Sequence, residues 1–147
     1  MPDTAANEAL AHRWHMDLFQ AGNLDVADEI LAPGFAVHSP GFDGEGAEAA
    51  KQLAIGYRAA YPDLTLKHVD TVAAGDKVAI RWTSQGTHQG DLLGIPPTGT
   101  KVQGHGIDII HLRDGKIAEV WIEWDLFGTL QQLGMWPPQA AQASASG

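Results

Sequence analysis

Apolar positions in the first twenty residues recur at helical spacing. Leu10, Trp14 and Leu18 fall at i, i+4 and i+8, and Ala11 and Phe19 widen the stripe. That period predicts one amphipathic helix from about Thr4 to Gln20. Thr4 or Asn7 can cap it, and Gly22 supplies a left-handed stop. A short second helix is predicted over 24–31, with Val26, Ile30 and Leu31 inward and Pro33-Gly34 as its stop. Residues 35–39 read as a short strand and 40–46 as a glycine-rich loop. Residues 47–61 read as a third helix, with Leu53, Ala54, Tyr57 and Tyr61 on its apolar side and Pro62 closing it.

Beyond Pro62 the period changes from helical to alternating. Leu64, Leu66 and His68 share one side of a strand, and Val69 and Val72 break the parity, which predicts a bulge. After a turn at 74–77, Val78, Ile80 and Trp82 alternate with Ala79, Arg81 and Thr83. A loop over 86–99 leads to a strand over 101–112, an Asp114-Gly115 hairpin turn, a returning strand over 117–124 and a last helix over 126–133. The order ααβαββββα predicts a single α+β domain over residues 1–136, helices first and an antiparallel meander after. Residues 137–147 are Pro, Gln, Ala, Ser and Gly and are expected to form a disordered tail. No glycine-rich phosphate loop follows a strand, so the glycines are read as turns rather than a nucleotide site.

Alternation across the last hairpin singles out one acid. An Asp-Gly turn of type I with a bulge at Gly115 would pair Leu112 with Lys116, Ile110 with Ala118, Asp108 with Val120 and Gly106 with Ile122. A two-residue turn would slip that pairing. In the first register one face carries Asp108, Ile110, Leu112, Ala118, Val120, Ile122 and Trp124, and the other carries His105, Ile107, Ile109, His111, Glu119, Trp121 and Glu123. The first face is apolar except for Asp108 and is assigned to the interior. A carboxylate in apolar surroundings is suited to general-base work near neutrality, and Asp108 is the leading catalytic candidate. His38, at the end of a strand beside the expected cavity mouth, and His88, after Gly86-Thr87, are candidates to orient Asp108 or to donate to a substrate oxygen. Trp14, Leu18, Tyr57, Trp82, Ile110, Val120, Ile122 and Trp124 would line a mostly apolar pocket. Asp125 reads first as a helix N-cap, with a pocket role open. Arg81 is expected to pair outside with Glu119 or Glu123, the rival being an Arg–Asp pair in the pocket.

Composition narrows the partners. Lys+Arg is 9 against Asp+Glu 18 in 147 residues, a net charge of −9. That argues against nucleic acid and against anionic lipid as partners. There is no cysteine, hence no thiolate nucleophile and no Cys-based zinc site. His12 and His15 have a spacing that can hold a metal, but no acidic third ligand stands nearby, so both are expected to face solvent and no metal is expected. No apolar run approaches the roughly 20 residues that span a bilayer. No basic-then-apolar leader opens the chain, so a cytoplasmic location is expected. Trp, at 5, outnumbers Tyr at 2 and Phe at 4, which points to wide surfaces that need lining.

The segments Gly86-Thr87-His88-Gln89-Gly90, Gly94-Ile95-Pro96-Pro97-Thr98-Gly99, Asp114-Gly115-Lys116-Ile117 and Gln132-Leu133-Gly134, preceded by Gly22-Asn23-Leu24-Asp25, resemble the SnoaL-like polyketide cyclase family, in its ester cyclase branch. That family lies within the nuclear-transport-factor-2-like, ketosteroid-isomerase-like superfamily, and the resemblance runs from about Glu8 to Gly134. It implies a curved antiparallel sheet wrapped as a cone on three helices, a short C-terminal helix, one buried pocket and a homodimer through the outer sheet face. It also implies ring closure by intramolecular aldol condensation on an aromatic polyketide ester, without cofactor or metal. By the Asp114-Gly115-Lys116 anchor, the family's acid/base Asp position falls on Ile122 and its helper His position on Asp108. Two functions follow. One is a cofactor-independent cyclase, isomerase or lyase in which Asp108 removes a proton from a small apolar or aromatic carbonyl or ester compound. The other, favoured by Ile122, is a non-catalytic small-molecule-binding or dimeric scaffold protein. Hydrolysis of an epoxide or lactone, with Asp108 activating water, is a third possibility.

Overall fold

The helical stripe of the first twenty residues folds as predicted in extent but not in kind. In a computed structural model, which describes residues 2–136, α1 (Thr4–Arg13) runs straight into a π-helical stretch, Trp14–Gln20. The expected disordered tail, 137–147, lies outside the described residues. The cap of α1 is Asp3, whose carboxylate accepts from the Ala6 amide at 3.0 Å, rather than Thr4 or Asn7. The remaining elements are α2 (Asp25–Ile30), β1 (Leu31–Ser39), β2 (Phe42–Glu45), α3 (Gly46–Ala60), β3 (Thr65–Ala74), β4 (Lys77–Thr87), β5 (Lys101–Arg113), β6 (Lys116–Trp124) and α4 (Leu126–Gln132).

The six strands form one open, curved sheet in the order β2-β1-β6-β5-β4-β3. The segment expected to be a loop after β1 is itself a strand, β2, which turns back antiparallel on β1 through Gly41. β1 runs parallel to β6, so the sheet is an antiparallel meander with one parallel seam. The parity break foreseen in β3 is real: the register on β4 shifts between His68 and Asp70. The helices pack on one side of the sheet, and Trp14, Leu18, Ile30, Phe35, Ile80, Ile110 and Val120 meet there with almost no exposed surface.

The β5–β6 hairpin departs from the expected turn. Arg113 pairs with Lys116, so the turn is Asp114-Gly115, with φ of 52° and 75°, as a two-residue primed turn requires. Left alone, that turn would have exchanged the two faces. A bulge restores them: Leu112 pairs with Ile117 but His111 with Glu119, leaving Ala118 as the extra residue. Asp108 therefore faces Ile122 across the strands, not Val120, while Asp108, Ile110, Val120 and Ile122 all remain inward and buried.

Candidate active site

Asp108 projects from β5 into the space between sheet and helices and is 1% exposed. A buried carboxylate is an acceptor with about four lone-pair positions and needs donors for them. Trp14 Nε1 donates to Oδ2 at 3.2 Å, Trp82 Nε1 donates to Oδ1 at 2.8 Å, and His15 Nε2 lies 2.8 Å from Oδ2. Oδ2 thus serves two partners and Oδ1 serves one, so one acceptor position on Oδ1 stays open.

The sequence places these donors by different means. Trp82 alternates inward on β4 with Val78 and Ile80. Its indole has room because position 106 on the neighbouring strand is glycine; a Cβ there would stand 2.5 Å from Trp82 Cζ2 and 2.5 Å from the Glu123 carbonyl oxygen. Trp14 and His15 are consecutive, and in an α-helix consecutive side chains diverge by about 100°. The π-helical turn is wider, as the Ala21 amide bonding back to Met16 at 3.0 Å indicates. Both Trp14 and His15 are buried and both reach the same oxygen. His15 was expected to face solvent; the structure buries it. The signal was its place between Ala11 and Phe19, which flank it at four residues on either side and are themselves buried.

Behind His15 stand two further imidazoles. His15 Nδ1 lies 2.8 Å from His68 Nε2, and the His68 ring meets His12 edge-to-face at 4.4 Å between centroids. His68 is pushed down to about 4, first by burial and then by the neighbouring His15 and His12, with Asp108 pulling the other way. It is therefore neutral at neutral pH.

Asp108, His15, Trp14 and Trp82 line one wall of a cavity between sheet and helices. Ile122, Tyr57, Trp124 and Phe19 carry the aromatic and aliphatic remainder, and Tyr61, Leu64, Leu66 and Thr129 extend it toward α4. Burial raises the Tyr57 phenol above its ordinary value, and the Asp108 charge adds to it. Tyr61 is pushed up to about 12, mainly by burial. Both phenols keep their protons at neutral pH and can act as donors.

Other candidates lie elsewhere. His38 stands on the outer sheet face, not at a cavity mouth: Phe35 and Val37 point inward on β1, so the next position points out. Its Nδ1 meets Asp43 at 2.7 Å, its Nε2 meets Glu119 at 2.6 Å, and its ring stacks on Trp121. His88 is fully buried, but in the loop after β4, where Nδ1 accepts from the Thr98 amide at 3.3 Å and sits 3.0 Å from the Thr98 hydroxyl; it does not line the cavity. Leu18, Ile110 and Val120 are packed into the core beneath the cavity and do not line it. Asp125 caps α4, accepting from the Gly128 amide at 2.9 Å, and meets His105 at 3.2 Å. Arg81 pairs with Asp70 on the exposed face, neither with Glu119 or Glu123 nor with Asp108. Among the described residues no helix is long and apolar enough to cross a membrane.

Comparison with known proteins agrees with this architecture. The family model of the SnoaL-like polyketide cyclases matches residues 9–133. Aklanonic acid methyl ester cyclase DnrD of Streptomyces peucetius is 35% identical over 119 residues, covering 77% of this chain and 81% of that protein. Nogalonic acid methyl ester cyclase of Streptomyces nogalater is 32% identical over 124 residues, covering 81% and 92%. Among solved structures, TsrD from Streptomyces laurentii superposes with a TM-score of 0.82 at 30% identity, over 91% of this chain and 98% of that one. An NTF2-like protein from Burkholderia xenovorans LB400, at 14% identity and a TM-score of 0.71 over 89% and 98%, shares the fold. The chain belongs to the SnoaL-like polyketide cyclase family.

Proposed function

We propose that this protein is a cofactor-independent cyclase of the SnoaL-like type, and that Asp108 is its acid/base group. The observation that carries the reading is the open acceptor position on Asp108 Oδ1, held in a mostly apolar cavity by Trp14, Trp82 and His15. The resemblance puts the family's acid/base Asp at Ile122, and Ile122 is the residue directly across the strands from Asp108. On that resemblance the carboxylate stands one strand over from the family's position, and Asp108 and Ile122 line one cavity.

In this reading Oδ1 takes a proton from a carbon next to a ketone of the bound ester. The resulting enolate oxygen accepts from the Tyr57 hydroxyl. The enolate carbon attacks a second carbonyl of the same molecule, one C–C bond forms, and the new alkoxide recovers the proton from Asp108. No electrons leave the substrate, so no redox partner is required. A positioned acid/base group contributes on the order of 10²–10⁴ in rate. An oxygen-binding donor such as Tyr57 contributes about 10²–10³. The substrate class, a polyketide methyl ester, follows the description of the family and the names of the relatives. On the outer face, Ile107 and Ile109 are exposed near Trp121, and this reading makes that surface the contact between two copies.

Ring closure of aklanonic acid methyl ester, followed by chromatography with and without the protein, tests the reading. Turnover that falls at least a hundredfold in Asp108→Asn and in Tyr57→Phe supports it. A protein that binds the ester without closing the ring is a binding module instead.

A further inference from the structure

The Asp108 proposal uses one face of His15 and leaves the other, toward His68, without a role. Both ring nitrogens of His15 are engaged: Nε2 with Asp108 Oδ2 and Nδ1 with His68 Nε2, each at 2.8 Å. A carboxylate only accepts, so His15 Nε2 carries a proton. Two arrangements remain for the second contact. Either His15 is a neutral ring that accepts at Nδ1 from His68 Nε2–H, or it is an imidazolium that donates to a bare His68 Nε2.

His68 Nδ1 separates them. It is buried and has no hydrogen-bond partner. In the first arrangement that atom is an unused lone pair; in the second it is a buried N–H with nothing to donate to. Orphaned buried N–H groups are the rarer and costlier of the two. The first arrangement also keeps a second charge out of an enclosed space bounded by Trp82, whose ring lies edge-on to His15 at 6.2 Å between centroids.

We infer that His68 is a positioning residue: it donates Nε2–H to His15 Nδ1 and so locks His15 as the neutral ring protonated at Nε2, which in turn pins Asp108 Oδ2 and leaves Oδ1 as the reactive oxygen. This rests on the reading of Asp108 as the acid/base group. The order of donation is then His68 to His15 to Asp108, from the half-buried seam between α1 and β3 into the cavity. The neutrality of His68 agrees with it, since His68 is pushed down to about 4. His68 touches no substrate in this account; its effect passes entirely through His15.

The test is a long-range proton–nitrogen spectrum of ¹⁵N-histidine-labelled protein at neutral pH. The expected result is His15 and His68 both neutral and both protonated at Nε2. In His68→Phe, His15 keeps the Nε2 proton that Asp108 requires, but its Nδ1 loses the donor, so the Nδ1 nitrogen resonance moves and kcat falls about tenfold with KM unchanged. His68→Gln, whose side-chain amide can donate in the same direction, restores both. The wild-type spectrum is decisive even if the Phe variant fails to fold: a His15 ring protonated at both nitrogens overturns the inference. So does a His15 Nδ1 nitrogen resonance that is unchanged in folded His68→Phe. The two proposals fail separately. The predicted tautomers with full activity in Asp108→Asn would sink only the acid/base reading, and the converse result would sink only the lock.

Discussion

Replacing Asp108 with Asn tests the donor network without changing shape. The carboxylate faces Trp14 Nε1 and His15 Nε2 at Oδ2 and Trp82 Nε1 at Oδ1. An amide offers one acceptor and one donor end. Its oxygen would take the Oδ2 place, where two donors converge, and its NH₂ would then face the Trp82 N–H. One charge-assisted bond, worth about 1.5–3 kcal/mol, becomes a donor–donor contact. Net of the desolvation that a neutral amide avoids, a loss of about 2–4 kcal/mol is expected. At roughly 2–4 °C per kcal/mol for a chain of this size, the melting temperature should drop clearly. Urea unfolding followed by far-ultraviolet circular dichroism, at matched protein concentration, gives the number. Trp82→Phe removes the opposed donor, so the double variant should lie at least about 1 kcal/mol above the sum of the singles. Asp108→Asn within about 0.5 kcal/mol of wild type, or strict additivity with Trp82→Phe, would refute the convergence of these donors on one carboxylate.

Three further perturbations probe the surroundings. Gly106→Ala places a methyl 2.5 Å from both the Trp82 ring and the Glu123 carbonyl; overpacking should cost about 1–3 kcal/mol and lower activity by moving the indole off Asp108, both measurable on the purified variant. His38 is raised above its ordinary value by Glu119 and then by Asp43, so its contribution is full below the unfolded value and is lost as pH rises through the higher folded one. The stability gap between wild type and His38→Ala, read from unfolding at pH 6 and pH 9, should therefore shrink at the higher pH while turnover stays near wild type. Asp125→Ala removes the α4 cap and should cost about 1 kcal/mol in thermal unfolding.

The inward placement of Asp108 could be read from the sequence because alternation in β5 is unbroken from Gly106 to Leu112 and apolar on one side. The pairing could not. The turn at Asp114-Gly115 and the bulge at Ala118 each shift the register, and their effects on facing cancel. His38 was legible and was misplaced: Phe35 and Val37 are both apolar, and strand period alone points the residue after them outward. The burial of His15 was legible and was missed: it stands midway between Ala11 and Phe19, the row that widens the Leu10, Trp14 and Leu18 stripe, and all three are buried. The π-helical stretch itself was not foreseen, and within it neighbours in sequence share one oxygen. The parallel seam between β1 and β6 joins strands far apart in sequence and leaves no local signature.

The most direct test of Asp108 as the acid/base group is exchange of the protons next to the ketone in a bound aromatic β-keto methyl ester, followed by ¹H NMR in deuterium oxide. If Asp108 removes that proton, the protein accelerates the exchange, and the acceleration falls at least a hundredfold in Asp108→Asn with affinity for the ester retained within a few fold. Exchange at the wild-type rate in folded Asp108→Asn would contradict it.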